Sequence, residues 1–239
     1  MDDLTVAIHQ PNLFPWLGYF NKVAQADVFV FLDDVQIQKT GASYTNRVAI
    51  ALDGRPHSIT APIRRESGLG TIAQARFSDD GWRNRTLKTL QAAYANAPYF
   101  REARDVVFDL VGHATALLSE YNVHFIRSLA NELGLRARFV RSSELANIEP
   151  EPTRRLADLV RALGGRRYLS GSGAVAYQNR EVFAEHGIAL EYIDNSSLAY
   201  AQIRHPAFIA GLSIVDALFN IGLGPTGALL RGRSAGARP

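Results

Sequence analysis

The run Asp27-Val28-Phe29-Val30-Phe31-Leu32 constrains the fold more than any other stretch of this chain. After its leading aspartate it is unbroken apolar sequence, with no alternation of polar and apolar positions. A strand of that kind must be covered on both faces, which is the condition of strands in a parallel sheet. The preceding residues fit. Positions 5–9 form a short β-type run, 10–15 a proline-bounded loop and 16–26 a helical stretch. Strand, loop, helix and strand make a βαβ unit, for which a right-handed crossover is expected.

The rest of the chain extends the pattern. Segments 44–52 and 57–63 flank Asp53-Gly54-Arg55, and an Asp-Gly pair in that setting predicts a hairpin over about 44–63. Residues 72–77 predict one more strand. A helix is expected over 82–95, with Asp79 or Asp80 near its start. One or two long helices are expected over 98–110 and 115–133, on three- and four-residue apolar spacing, with Gly134 as a stop. Strand, helix and strand then return at 137–141, 153–163 and 167–170. A short helix (179–186), a strand (188–193) and a helix capped by Ser213 (213–221) complete the reading. The expected fold is α/β: a mainly parallel sheet with helices on both faces, a β-hairpin after the second strand and a helical insertion over about 82–133. Residues 1–230 read as one domain, and 231–239, with Arg231, Arg233 and Arg238, as a flexible basic tail.

Composition narrows the function classes. A hydrophobic content of 47% and a charged content of 21% argue for a packed globular protein and against disorder. The absence of cysteine excludes disulfides, thiolate metal sites and a cysteine nucleophile. A net charge of +3 is too small to imply a nucleic-acid partner by itself. No window approaches eighteen uninterrupted apolar residues, and the start, Met1-Asp2-Asp3, is acidic. No membrane span is expected, and the location expected is the cytoplasm.

Parallel sheets bind ligands at the carboxyl ends of their strands, so the loops there are the first candidates. His9, Gln10 and Asn12 leave the first strand together and run into Trp16-Leu17-Gly18-Tyr19, where a helix begins. An imidazole, two amides and a helix N-terminus suit a phosphate, a carboxylate or a developing anion. The bland alternative is a capped turn with a satisfied histidine. Asp33, Asp34 and Gln36 follow the second strand, where a carboxylate can act as a base, hold Mg²⁺ or orient a hydroxyl. Adjacent aspartates face opposite sides, so one of them is expected to cap or face solvent. Lys39, Asn46 and Arg47 are close enough in sequence to add polar contacts there. Ser170-Gly171-Ser172-Gly173, followed by Tyr177, is a glycine-rich turn after a strand, but it lacks the Gly-Lys-Ser/Thr ending of a phosphate loop. Ser142 and Ser143 also follow a strand. His57, His113, His124, His186 and His205 lack metal-ligand spacing, and no metal site is expected.

The runs AIHQPNLFPWLGYFNKVAQADVFVFLDDVQ, TNRV, YLSGSGAVAY, YAQ and GLSIVDALFNIG, in that order, resemble the WbqC-like protein family over about residues 6–230. The resemblance implies a shared pattern at His9, Gln10, Asn12, Trp16, Tyr19, Asp33, Gln36, Asn46, Arg47, Ser170, Gly171, Tyr200, Gln202, Ser213, Asp216 and Asn220. Val175 stands where some relatives carry a lysine, so a step that needs that lysine is not carried over. The family is similar to enzymes encoded with O-antigen, capsule and specialised-metabolite genes. It implies a transferase or ligase joining an activated acyl or aminoacyl group to an amine or amino sugar. Aminoacyl-tRNA is among the donors to consider, and no cofactor is implied. On this reading His9 and Asp33 are catalytic, and Gln10, Asn12, Trp16, Tyr19, Gln36, Asn46, Arg47, Ser170, Gly171, Tyr200 and Gln202 bind substrate. The alternative is a non-catalytic protein that binds a nucleotide-sugar or a polysaccharide intermediate. The strand, His-Pro loop, helix and acidic strand end also look like the opening of nucleotidyltransferase and class I synthetase-like folds. Their usual second histidine is missing, since Tyr19 follows Gly18.

Overall fold

β1 (Thr5–His9), α1 (Leu17–Gln25) and β2 (Val28–Phe31) form the βαβ unit, with Val6 opposite Val28 and His9 opposite Phe31 in parallel register. The computed structural model describes residues 3–37, 44–64, 70–146, 148, 151–175, 178–196, 198–203 and 207–234. Lys39, Tyr177 and His205 lie outside them. Every residue of β2 is buried, as an uninterrupted apolar strand requires. A hairpin follows, β3 (Arg47–Leu52) and β4 (Arg55–Thr60), paired antiparallel from Arg47–Thr60 to Leu52–Arg55. Its two-residue turn has positive φ at Asp53 (48°) and Gly54 (76°). That conformation matches the twist of paired strands, and Asp and Gly tolerate it best.

Three helices come next: α2 (Trp82–Tyr94), α3 (Phe100–Gly112) and α4 (Leu118–Glu132). The chain then re-enters the sheet through β5 (Arg138–Arg141), α5 (Pro152–Ala162), β6 (Arg167–Ser170), α6 (Arg180–Glu185) and β7 (Ala189–Tyr192). It ends in α7 (Ile214–Ile221) and α8 (Leu223–Ser234). The five strands are all parallel, in the order β5-β2-β1-β6-β7. Winding runs outward from β1 to β5, then returns to place β6 on the other side of β1. The direction reverses between β1 and β6.

The two faces of the sheet carry separate cores. Ala7, Phe29, Phe31 and Leu169 pack with α1, α3, α4 and α7 in the larger one. Val6, Ile8, Val28, Val30 and Tyr168 meet Ala157, Leu159 and Val160 of α5 and Phe183 of α6 in the smaller. The expected α/β architecture with helices on both faces is therefore observed. Among the described residues no helix is long and apolar enough to cross a membrane.

Two expectations fail. Residues 72–77 do not form a strand: Ile72–Gln74 is a short 3-10 turn, and Ile63–Phe77 and Arg76–Leu117 are single bridges. Its backbone bonds are divided among several segments: Ile72 N donates to Val35, Ala73 N to Asp33 and Phe77 N to Ala116, while Arg64 N and Leu118 N donate to Arg76 and Ala75, so no continuous ladder forms. The second is α8, since the sequence pattern ends its last helix at residue 221. Pro225 and three glycines argue locally against a helix. Packing overrides them. Leu230 and Thr226 are fully buried, Thr226 Oγ1 donates to the Gly222 carbonyl, and Arg231 donates to the Leu133 carbonyl. A Cβ on Gly227 would stand 2.7 Å from the Leu133 oxygen, so the bare backbone is what admits the close approach. Residues 235–239 lie outside the described residues.

Gly165, just before β6, is equally tight: an added Cβ would meet Val6 Cγ2 at 2.6 Å and the Val160 carbonyl at 3.0 Å. Gly165→Ala is expected to destabilise the fold by about 1–3 kcal/mol, because backbone and a packed strand must shift. Urea unfolding checks this, and an unchanged midpoint would refute it.

Candidate functional site at the β1–β6 crevice

A reversal of winding leaves the loops after the two strands on opposite sides, opening a crevice at their carboxyl ends. Here those strands are β1, ending at His9, and β6, ending at Ser170. The loop after β1 is held from several sides. Asn122 of α4 donates Nδ2 to the carbonyls of Pro11 (2.8 Å) and Thr45 (2.7 Å). Leu13 N donates to the Tyr44 carbonyl, Ser213 Oγ to the Phe14 carbonyl and Ile214 N to the Pro15 carbonyl. Phe14 has φ 38°, a left-handed conformation that a bulky side chain adopts only when its surroundings enforce it. Its ring packs with Trp82, Tyr121 and Phe125, the last at 4.8 Å between centroids. Contacts to α2, α4 and α7 thus hold the turn.

His9 lies edge-on to Tyr19 (4.8 Å) and Trp16 (5.7 Å), and Tyr44 packs on Trp16 at 5.6 Å. Its Nδ1 is 3.1 Å from the Gln10 carbonyl, and a carbonyl only accepts, so Nδ1 carries the proton. In the neutral ring Nε2 then keeps its lone pair. The neutral ring is favoured: His9 retains a partly exposed edge, but protein surrounds it, and burial pushes its pKa down to about 3. The Lys22 ammonium pushes in the same direction, against the Gln10 hydrogen bond. Tyr19 Oη also donates to the Gln10 carbonyl.

Asn12 is 2% exposed, and neither its amide nitrogen nor its oxygen has a hydrogen-bond partner. Asn122 Oδ1 is likewise buried and unpaired. Each such orphan costs about 1–3 kcal/mol unless a bound group or water satisfies it.

Asp33 has a different environment. Its carboxylate has no accessible surface. It accepts from Ser119 Oγ (3.2 Å) and Ser143 N (3.2 Å), with Arg141 Nη1 at 3.9 Å, while Asp33 N donates to Ser142 Oγ. Ser142 gives its own proton to Asp34 at 2.6 Å, and Arg155 pairs with Asp34 from α5. These bonds lock the end of β2 to the end of β5. Asn46 and Arg47 bond within the hairpin, to Ala61 O and Thr60 Oγ1, and Gln36 is exposed beside Thr71. Ser170 shares a face with Tyr168, to which it is hydrogen-bonded, on the α5–α6 side of the sheet. His9 points instead to the α1 side. Gly171 has ordinary backbone geometry and open space at its Cβ position. Tyr200 and Gln202 turn inward. With Tyr94 they donate to the buried Asp216 carboxylate at 2.7, 3.1 and 2.7 Å, and Gln202 also brackets the backbone of Ile209. Asn220 ties Ile203 N to the same helix and Ser213 caps α7, which accounts structurally for the YAQ and GLSIVDALFNIG runs.

Lys22 was absent from the sequence-based candidates. It is 3% exposed, and its Nζ donates to the Ile8 carbonyl at 2.8 Å. Burial lowers its pKa to about 7. The available signal was slight: Lys22 stands among Leu17, Tyr19, Phe20, Val23 and Ala24 in a helix whose amide side chains are Asn21 and Gln25. Elsewhere, His113 and His124 stack at 3.7 Å beside an open groove of about 850 Å³ walled by α3, α4 and β5. That groove mixes Asp109, Glu120 and Glu132 with Arg127, Arg136 and Arg141, and excludes the β1 turn.

Fold and site together define a doubly wound α/β protein with its candidate site at the switch point of the sheet. The chain belongs to the WbqC-like protein family, whose model matches residues 10–226. It is also 28% identical over 219 residues to a Mycobacterium tuberculosis protein described only as uncharacterised, a span covering 91% of this chain and 94% of that one. No solved structure matches it significantly.

Asn122→Ala is expected to cost about 2–4 kcal/mol, since two buried carbonyls lose their donor. Equilibrium unfolding reads this, and a loss below about 0.5 kcal/mol would show the turn to be held elsewhere. For His9, the unfolded chain takes up a proton near the ordinary value of 6.5 that the folded chain refuses until about pH 3. Stability contributed by the neutral ring is complete above pH 6.5 and declines between 6.5 and 3. His9→Gln is expected to flatten that part of the stability–pH curve, measured by urea unfolding between pH 4 and 7.

Proposed function

We propose that the protein is a transferase or ligase that joins an activated acyl or aminoacyl group to an amine at the β1–β6 crevice. The observation that carries this reading is the neutral His9 imidazole, whose tautomer is held by Gln10 and whose Nε2 lone pair is free. Such a nitrogen accepts a hydrogen bond from an incoming amine N–H and orients the amine lone pair toward the acyl carbon. The C–N bond then forms as the acyl–oxygen bond breaks, and the amine proton leaves with the departing oxygen. The unpaired amide of Asn12 supplies one donor and one acceptor to ligand polar groups. Trp16, beside His9, and Tyr44 offer aromatic surface. Asp33, fully enclosed by its serines and Arg141, acts on the position of the β2 end rather than on substrate. The acceptor in this reading is an amine or amino sugar of bacterial biosynthesis, with aminoacyl-tRNA among the donors.

The test is incubation of the protein with aminoacyl-tRNA or aminoacyl-adenylate and a panel of amines and amino sugars, read by mass spectrometry for the amide. His9→Ala is expected to lower turnover about 10²–10⁴-fold while substrate binding persists. Equal loss of binding and turnover would sink the enzyme reading in favour of a binding protein for nucleotide-sugars or polysaccharide intermediates. If tRNA is the donor, its affinity falls steeply with salt, and a flat salt response removes it.

A further inference from the structure

α1 sets Gly18, Asn21 and Lys22 on one face, since residues three and four apart are neighbours on a helix. Asn21 Nδ2 donates to the carbonyl of Asp194 (3.2 Å) and to Asn195 Oδ1 (2.8 Å), just beyond β7. Lys22 Nζ donates to Ile8 in β1. The face therefore spans from β1 to the end of β7, across the carboxyl end of β6 between them. The Asn195 amide and the Trp16 indole lie close over Gly18: a Cβ there would stand 2.8 Å from Asn195 Nδ2 and 2.9 Å from Trp16 Nε1. Any larger residue would push both away.

Lys22 is a poor structural choice at this place. An ammonium has three donors, and one carbonyl uses one of them. Among the described residues no carboxylate forms an ion pair with it. A lone buried cation is costly, and a neutral amide would satisfy the Ile8 carbonyl without that cost. A buried group held at such expense is a candidate for a binding site. Asn12, equally buried and wholly unpaired, sits on the neighbouring turn.

We propose that Lys22, with the Trp16 indole N–H and the Asn195 amide over Gly18, forms an oxyanion-binding floor of the crevice that takes the phosphate or carboxylate of the acyl donor. An oxyanion there supplies the missing counter-charge, with the indole and amide nitrogens as neighbouring donors. This rests on the crevice being the donor site, as in the reading above, but it does not require amide formation.

Thermal unfolding of the full chain, in phosphate, pyrophosphate or glycine against chloride at equal ionic strength, tests it. A site-bound anion is expected to raise Tm by a few degrees at concentrations about tenfold above its Kd. A rise with phosphate or pyrophosphate alone identifies a phosphate-bearing donor, and a rise with glycine alone an amino-acid carboxylate. No rise with any of them overturns the proposal. Lys22→Gln keeps a donor for the Ile8 carbonyl without the charge, and Lys22→Met removes both. Loss of the anion response in Lys22→Gln supports the proposal, and a retained response overturns it whatever happens to the free protein. A Lys22→Met protein at least as stable as the parent supports it further. Amide formation without any anion response leaves the enzyme reading standing and removes this one; an anion response without amide formation does the reverse.

Discussion

The grip of Asn122 on the Pro11 and Thr45 carbonyls is the contact on which the rest of the candidate site depends. A loop leaving a parallel strand has no ladder to hold it, so its carbonyls must find donors elsewhere. Here one buried amide from α4 serves two loops at once, and the start of α7 serves two more carbonyls of the turn. Phe14 can then be kept in a left-handed conformation, because its ring is anchored among Trp82, Tyr121 and Phe125. The helical insertion after the hairpin is thereby explained: it is the wall that holds the β1 turn in place.

The buried polar groups differ in how far they are paired. Asp216 and Asp33 are both buried carboxylates, and each is surrounded by donors from distant parts of the chain. Such networks fasten loops to helices. Asn12 and Lys22 are as deeply buried, yet the first has no partner and the second only a carbonyl. Their cost is carried by the surrounding packing. His9 stands between the two kinds, with Nδ1 committed and Nε2 free.

Much of this was legible in local sequence. The apolar run of β2, the Asp53-Gly54 turn, the Gly134 stop and the Ser213 cap each act through their own backbone preferences, and each element stands where those preferences place it. The failures have one cause. Segment 72–77 has strand-like residues, but its hydrogen bonds are shared among the loop after β2, Arg64 and the segment before α4, and α8 has helix-breaking residues that buried contacts with α1 and the end of α4 overrule. Candidate residues divide in the same way. His9, Gln10 and Asn12 lie together at a strand end because they are adjacent in sequence. Tyr200 and Gln202 share the same motif family but bond inward to Asp216.

The sequence by itself determined the parallel α/β class, the hairpin and the strand end at which polar residues gather, because periodicity and turn chemistry are local properties. Only the tertiary structure decided which of those residues remain available. Burial and pairing depend on segments far apart in the chain, such as Ser142 beside Asp33, Tyr94 beside Asp216, and Asn195 over Gly18. The same long-range packing turned Lys22, an ordinary helix residue to the eye, into an enclosed cation beneath the switch point of the sheet.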